Sequence, residues 1–190
     1  MKYFILLFSI IYFQPCFIIA QGKSSSTTIK AKKTDSTPIK TIQNFLVWYK
    51  RNYKTLYKYK MTYSDSIGNY RVNIKDCTNY FSSLTSSGCI SEEYVRLWSD
   101  YCLSQDQKFM ISPQNEGPPE GFDMDLVLHT QEPDEVTKHF MNFKYITEKS
   151  AKSEAIVLMD TGWPDWIYVF ELSKIKGRWY IDYISLKEPD

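Results

Sequence analysis

The first element with a clear periodic pattern is a helix with one apolar face. Six apolar residues recur at spacings of three, four and seven between about residue 41 and residue 58: Ile42, Phe45, Leu46, Tyr49, Tyr53 and Leu56. These spacings place all six side chains on one face of a helix. Lys50, Lys54 and Lys58 lie on the other side with Arg51. The pattern therefore predicts a buried face opposite a basic, solvated one.

Two further helices are predicted before any sheet begins. Turn-forming residues at 65–69 separate them from the first helix, and Asn73 and Ser91 are good N-caps. Gly88 lies between the two helices and can adopt the left-handed geometry that ends a helix. Because this turn is short, the two helices should pack antiparallel. The predicted inner positions are Ile74, Cys77, Tyr80, Phe81 and Leu84, then Val95, Trp98 and Cys102.

After a loop rich in Pro and Gly, the apolar period changes from helical to two. Over 122–129, Phe122, Met124, Leu126 and Leu128 alternate with Asp123, Asp125, Val127 and His129, which predicts a strand. Further strands are predicted at 138–148, 154–160, 166–174 and 178–186, with a hairpin turn at Lys176-Gly177. Strands without intervening helices pair antiparallel. The order indicates an α+β fold, with N-terminal helices packed on a curved antiparallel sheet.

The N-terminus has the pattern of a secretion signal. Lys2 precedes an apolar run over 3–13, and Ala20 supplies the small residue before a cleavage site. The alternative is an uncleaved membrane anchor. The apolar segment from Tyr3 to Ala20 has 18 residues, which is the lower limit for crossing a bilayer, and Pro15 interrupts it. The sequence predicts a signal peptide at 1–20, a disordered polar tether at 21–40 and one domain at 41–188. No later stretch looks able to span a membrane, so we expect a secreted or periplasmic protein.

Composition narrows the classes of partner. The chain is 43% hydrophobic and 24% charged, which is ordinary for a soluble domain, and its formal net charge of +1 argues against a nucleic-acid partner. Basic residues concentrate in the first 75 residues and acidic residues in the remainder. Within one domain, this asymmetry indicates a basic helix and an acidic end of the sheet.

Two segments resemble a known fold family. They are the Phe45-Leu46-Val47-Trp48-Tyr49 stretch of the first helix and the final Gly177-Arg178-Trp179-Tyr180-Ile181-Asp182-Tyr183-Ile184 strand. With the stretch 118–123, they resemble the nuclear transport factor 2-like fold over about 41–187, and more narrowly secreted bacterial domains of unknown function. The resemblance implies a cone with a cavity between helix and sheet. Isomerases, dehydratases, hydrolases and binding proteins share that fold, so no single activity and no cofactor is implied.

The cysteines suggest one disulfide bond. Removal of the signal leaves Cys77, Cys89 and Cys102 in an oxidising compartment. Cys77 and Cys102 are equidistant from the turn at 89–90, so an antiparallel helical hairpin places them opposite each other. The spacing predicts a Cys77–Cys102 bond with Cys89 left over. The alternative is three free, buried thiols.

Asp123 and Asp125 are the candidate catalytic residues. At alternate positions of a strand, they would share one face. If that face looks into the cavity, desolvation and a like charge would raise the pKa of one carboxyl, as a general base requires. The alternative is two acids on the solvent side. The two histidines, His129 and His139, show no metal-ligand spacing, so we predict neither a metal nor a cofactor.

Aromatic residues are the candidate binding residues. Trp163 and Trp166 bracket Pro164 and could form a recognition tip, or the loop could fold back on its own Trp. Tyr168 and Trp179 could line a pocket or form the core of the sheet. The predicted function is a secreted, non-catalytic binding or interaction module for a small apolar ligand or a protein partner. The alternatives are an isomerase- or dehydratase-like enzyme that uses a cavity carboxylate, and an immunity-type inhibitor with the Trp loop at its tip.

Overall fold

The computed structural model describes residues 37–164 and 166–188, so the predicted signal peptide and most of the tether lie outside the described residues. Helix α1 (Pro38–Leu56) begins with Pro38, and the Thr37 hydroxyl oxygen caps it by accepting a hydrogen bond from the Lys40 N–H at 3.2 Å. Residues 38–40 therefore belong to the helix and not to the tether. The six predicted inner residues are all buried. None of the described helices is long and apolar enough to cross a bilayer.

A short hairpin and two packed helices follow. Strands β1 (Thr62–Ser64) and β2 (Tyr70–Val72) flank the predicted turn at 65–69 and were not expected. Helices α2 (Ile74–Leu84) and α3 (Glu92–Ile111) begin at the predicted caps, Asn73 and Ser91. Cys77 meets Cys102, and Phe81 stacks on Trp98 with ring centroids 5.0 Å apart. This register confirms the antiparallel packing.

The chain from 121 to 143 differs from the prediction. Residues 122–129 form an irregular loop and no strand, because the Asp125 carboxylate accepts the N–H groups of Val127 and Leu128 and so turns the chain. His129 follows with a left-handed φ of 49°. Helix α4 (Pro133–His139) and a 3-10 turn to residue 142 replace the start of the next predicted strand. Pro133 in the first helical turn, with acids after it and Lys138 at the end, favours this helix.

The main sheet is a four-stranded antiparallel meander. Its strands are β3 (Lys144–Ser150), β4 (Glu154–Asp160), β5 (Ile167–Ile175) and β6 (Arg178–Leu186), in the order β3-β4-β5-β6. Lys176 and Gly177 take φ angles of 49° and 84°, which confirms the hairpin turn. Four α-helices and two antiparallel sheets, neither closed into a barrel, make up the described residues and confirm the α+β class.

The core lies between α1 and one face of this sheet. Helix α1 packs against β4 and β6, and the segment at 89–91 pairs with the edge of β6. The largest side chains here have no solvent-exposed surface: Phe45, Leu46, Tyr49, Met159, Tyr168, Phe170 and Ile181. Large aromatic side chains therefore fill the space between helix and sheet, where burial of apolar surface is the main source of stability.

The cysteine pairing is partly corrected by the structure. Cys77, Cys89 and Cys102 are buried and carry free thiols, so the predicted disulfide bond is not formed here. The predicted partners are neighbours, however, because a hydrogen bond with Cys77, together with burial, raises the pKa of the Cys102 thiol. Cys89 lies in the segment that pairs with β6, where its carbonyl accepts the Ile181 N–H at 2.7 Å.

Oxidation of the purified chain should join Cys77 to Cys102 and leave Cys89 reduced. The two thiols already touch, so the bond would restrict the unfolded chain and raise the free energy of unfolding by roughly 3 kcal/mol. Peptide mapping without reductant identifies the pair, and Cys77→Ala with Cys102→Ala is the variant that should show no redox-dependent stability. A bond that includes Cys89 would contradict this prediction.

Candidate functional site

Asp125 is a buried carboxylate at the centre of the molecule. Its side chain is 8% exposed. One carboxylate oxygen accepts the Tyr49 hydroxyl at 2.6 Å, and the other accepts the N–H groups of Val127 at 3.0 Å and Leu128 at 2.8 Å. Burial raises the pKa of Asp125, and these hydrogen bonds oppose the rise. Three donors thus hold a carboxylate that forms no ion pair among the described residues.

A group of tyrosines surrounds this carboxylate. The Tyr49 and Tyr80 hydroxyls lie 3.1 Å apart, and burial raises the pKa of both phenols well above the usual value. Tyr53 donates a hydrogen bond to Asp134 at the start of α4. Tyr80 and Asp125 also border a small cavity of about 160 Å³ that opens near the end of α1. Burial thus raises the pKa of Tyr49, Tyr80 and Asp125 together, within one group of touching side chains.

The structure separates the two predicted catalytic acids. Asp123 is exposed and Asp125 is buried, so they do not share a face. Arg71 and Arg96 pair with other acids: Arg71 forms a bidentate ion pair with Asp106, and Arg96 pairs with Glu93 and Asp100. The carboxylate pair expected from strand alternation is therefore not formed.

The predicted aromatic binding residues lie at two separate places. Trp163 is 36% exposed and packs edge-on against Phe143 and Trp166, at centroid distances of 5.6 and 5.9 Å. The backbone N–H of Trp166 donates to the Trp163 carbonyl at 3.2 Å, so this loop folds back on its own Trp. Tyr168 is fully buried and donates to the Leu128 carbonyl at 2.6 Å, and Trp179 is buried under the Lys174 ammonium. The four residues do not line one pocket.

The two histidines do not meet. His139 lies 3.6 Å from the Glu135 carboxylate on α4. The His129 Nε2 lies 3.0 Å from the Ile184 carbonyl, and because a carbonyl only accepts, this nitrogen carries the proton. The His129 ring packs against Trp98 at 6.0 Å. Over 37–164 and 166–188, no three His, Cys, Asp or Glu side chains come close enough to hold a metal ion.

A large concave surface lies between α3, the loop at 121–129 and the strands β5 and β6. We call it the α3–β6 cleft, and its volume is about 840 Å³. Its walls combine apolar and acidic side chains, with one histidine. The lining residues are Glu93, Leu97, Trp98, Asp100, Tyr101, Ser104, Gly121, Met124, Leu126, His129, Glu171, Asp182 and Tyr183.

A β-bulge shapes the sheet side of this cleft. Glu171 pairs with Tyr183 while Leu172 pairs with Ile181, which leaves Asp182 as an extra residue on β6. A bulge changes the alternation of side chains, so two consecutive residues can lie on the same side. Asp182 and Tyr183 both line the cleft for this reason. The Asp182 carboxylate is held by the Ser173 hydroxyl, which donates to it at 3.1 Å.

Gly121 fixes the other wall of the cleft. It has a left-handed φ of 79°, and its carbonyl accepts the Tyr101 hydroxyl at 3.0 Å. A Cβ atom at this position would collide with that hydroxyl and crowd the Gln105 amide. The loop can therefore approach α3 this closely only because residue 121 has no side chain.

Known proteins do not supply a role for these features. Comparison of the chain with protein-family models, with curated proteins and with solved structures finds no match. The resemblance to nuclear transport factor 2-like proteins therefore stays a prediction.

Replacement of Gly121 by Ala should lower the free energy of unfolding by roughly 2–4 kcal/mol, because the strained backbone and the collision with Tyr101 add together. Gly117→Ala is the matched control: Gly117 also has a positive φ, of 70°, but a Cβ there meets nothing within 4 Å. Gly117→Ala should lower the free energy of unfolding by only about 1 kcal/mol. Denaturant unfolding measures both, and Tyr101→Phe should restore part of the Gly121→Ala loss. Equal costs at the two glycines would contradict the close approach.

Asp125→Asn should change how stability depends on pH. Burial raises the folded-state pKa of Asp125, so the folded chain holds this proton more tightly than the unfolded chain. The contribution of this proton to the free energy of unfolding is complete below the ordinary Asp pKa of 3.8. It falls as the pH rises through the raised pKa of the folded chain, by up to about 1.4 kcal/mol per pH unit. The Asn variant should lack this fall. Asp123→Asn, which removes the same charge from an exposed side chain, is the control, and a pH-independent difference between Asp125→Asn and wild type would contradict the prediction.

Proposed function

We propose that this chain is an exported, non-catalytic binding module of nuclear transport factor 2-like architecture, and that the α3–β6 cleft is its ligand site. One observation carries the proposal: the cleft of about 840 Å³ has an apolar floor with a few polar groups around it. Small-molecule sites have volumes of roughly 300–1,000 Å³ and this kind of lining. The cleft therefore has the size and chemistry of a small-ligand site.

The export and architecture parts of the proposal have different supports. The apolar N-terminal run that ends at Ala20 supports export. The α+β arrangement, with α1 on one face of a four-stranded antiparallel sheet, is the part of the proposed architecture that the structure shares. The space between α1 and the sheet is filled by fully buried side chains, which favours the α3–β6 cleft over an internal cone as the ligand site.

The side chains around the cleft favour binding over catalysis. The His129 Nε2 proton is held by the Ile184 carbonyl, and no hydroxyl or thiol of the described residues donates a hydrogen bond to its Nδ1. Glu93 and Asp100 are held by Arg96. The Ser104 hydroxyl makes no hydrogen bond with a base in the described chain. A nucleophile needs an adjacent base within hydrogen-bond reach, so the cleft offers a shaped surface and no activated group.

A second candidate, an enzyme that uses Asp125 as an acid or base, is favoured by one observation. Burial raises the pKa of this carboxyl, and it borders the 160 Å³ cavity with Tyr80. Its three hydrogen-bond donors already account for its position, however. For an enzyme, Asp125→Asn should cost on the order of 10²–10⁴ in turnover, whereas a binding module should keep its ligand affinity.

A bulky residue inside the cleft should block binding. Ser104 lines the cleft on the exposed side of α3, so Ser104→Trp fills it without disturbing the core. Leu103→Trp is the matched control, because Leu103 is the preceding residue of the same helix, 50% exposed and outside the cleft lining. We expect fragment-library screening by two-dimensional NMR to give hits whose shifts map to the cleft.

Ser104→Trp should weaken those hits by roughly tenfold or more, and Leu103→Trp should not, since only the former occupies ligand volume. Thermal unfolding of both variants controls for folding. Hits that map elsewhere, hits that Ser104→Trp leaves unchanged, or a library that gives no hit would each contradict the proposed ligand site.

A further inference from the structure

We propose that the α3–β6 cleft binds a small organic cation, meaning a molecule with an aromatic or apolar body and one ammonium or guanidinium group. This inference rests on the proposed function, because it requires the cleft to be the ligand site. It adds the charge and the chemical class of the ligand. Three features of the lining support it: the sign of its charges, the way those charges are compensated, and its aromatic floor.

The lining carries one sign of formal charge. It includes four carboxylates, those of Glu93, Asp100, Glu171 and Asp182, and neither lysine nor arginine. The other ionisable side chains of the lining are His129, whose Nε2 proton is donated to the Ile184 carbonyl, and Tyr101 and Tyr183. A concave surface of one sign beside low-dielectric walls concentrates the potential and favours counter-ions over anions.

The four carboxylates differ in how they are compensated. Arg96 bridges Glu93 and Asp100 from the same helix, with N–O distances of 2.6 and 2.8 Å. Glu171 and Asp182 form no ion pair within 4 Å among the described residues. Glu171 and Asp182 lie on the neighbouring strands β5 and β6, and the bulge places Asp182 next to the Glu171–Tyr183 pair. The uncompensated negative charge is therefore concentrated on the sheet side of the cleft.

The aromatic floor provides the place for the body of the ligand. Trp98 and Tyr101 pack edge to face with centroids 5.1 Å apart, and Tyr183 is 38% exposed beside Asp182. A cation above a Tyr ring is attracted by the ring's quadrupole as well as by a nearby carboxylate. Met124, Leu97 and Leu126 complete an apolar surface for a ring or a short chain. The cleft thus offers one apolar region and one acidic region to the same molecule.

The size of the cleft favours a small molecule over a basic peptide. A neighbouring depression of about 750 Å³ shares Glu93 and Asp182 with the cleft, and Glu92 and Lys176 also line it. A polycation that extended from the cleft into this depression would therefore meet charge of both signs, whereas the cleft lining includes neither lysine nor arginine. The volume of about 840 Å³ suits a ligand with a single cationic group.

The test uses three probes with the same indole ring and different charge: tryptamine, which is a cation, tryptophol, which is neutral, and indole-3-propionate, which is an anion. Two-dimensional NMR titration of the full chain at low ionic strength gives affinities and maps the site. We expect tryptamine to bind roughly tenfold more tightly than tryptophol, with indole-3-propionate weakest. The shifts should map to α3, β5 and β6, and added salt should reduce the preference.

The double variant Glu171→Gln with Asp182→Asn should abolish the preference for tryptamine while tryptophol binds as before. Both replacements keep the shape of the side chain, and the amide oxygen introduced by Asp182→Asn can still accept the Ser173 hydroxyl. Glu148→Gln with Glu154→Gln is the matched control. It removes two charges from β3 and β4 at exposed positions away from the cleft lining. The control should keep the full preference, and circular dichroism checks that both double variants fold.

Each other outcome overturns the inference. Equal affinities for tryptamine and tryptophol at the cleft would show that the site recognises only the apolar ring. This result would contradict the proposal of a cationic ligand but would leave the proposed function standing. If uncharged fragments bind the cleft and no indole probe does, the proposal of a cationic ligand fails and the proposed function stands. If nothing binds the cleft, the cationic ligand and the proposed function both fail. A synthetic peptide of residues 21–36 that displaces tryptamine with higher affinity would show that a basic peptide, and not a small cation, is the ligand.

Discussion

The buried Asp125 carboxylate is the interaction on which the described structure depends most. It joins α1 to the loop at 121–129, because Tyr49 of the helix and two backbone N–H groups of the loop share its oxygens. A buried charge without donors would be strongly unfavourable, so the loop can close over the core only in this geometry. Met124 and Leu126 then separate the 160 Å³ cavity from the α3–β6 cleft, since both residues line both spaces. The floor of the candidate site is thus set by a hydrogen bond that lies outside it.

Local sequence features were sufficient for the first three helices and for three of the strands, but not for α4. Asn73 and Ser91 cap α2 and α3 as expected, and Lys176-Gly177 forms the predicted turn, because each feature acts within a few residues. The loop at 122–129 shows the limit of this reasoning. Its alternation resembles a strand, but the chain conformation is decided by the contact between Asp125 and Tyr49, which are 76 residues apart in sequence. A periodic pattern carries no information about such a partner.

The candidate site was harder to predict than the fold. The cleft takes its residues from four segments, and the placement of Asp182 beside Tyr183 requires a bulge that depends on strand register. The local sequence pointed instead to the loop at Trp163 and Trp166, where aromatic residues are close in sequence but pack on each other. The uneven distribution of acids along the chain was the one usable indication. It suggested an acidic end of the sheet without naming Glu171 or Asp182.

The contrast between the acids of this chain supports the proposal that the cleft binds a cation. Where a carboxylate is withdrawn from water, the fold supplies partners: Asp106 has a bidentate Arg71 and the Val72 N–H, and Asp125 has three donors. Glu93 and Asp100 share Arg96 even though they are exposed. Glu171 and Asp182 lack a cationic partner in the described chain, and both lie beside the apolar floor of the cleft. A cationic ligand would compensate these two charges and bury that floor in the same step.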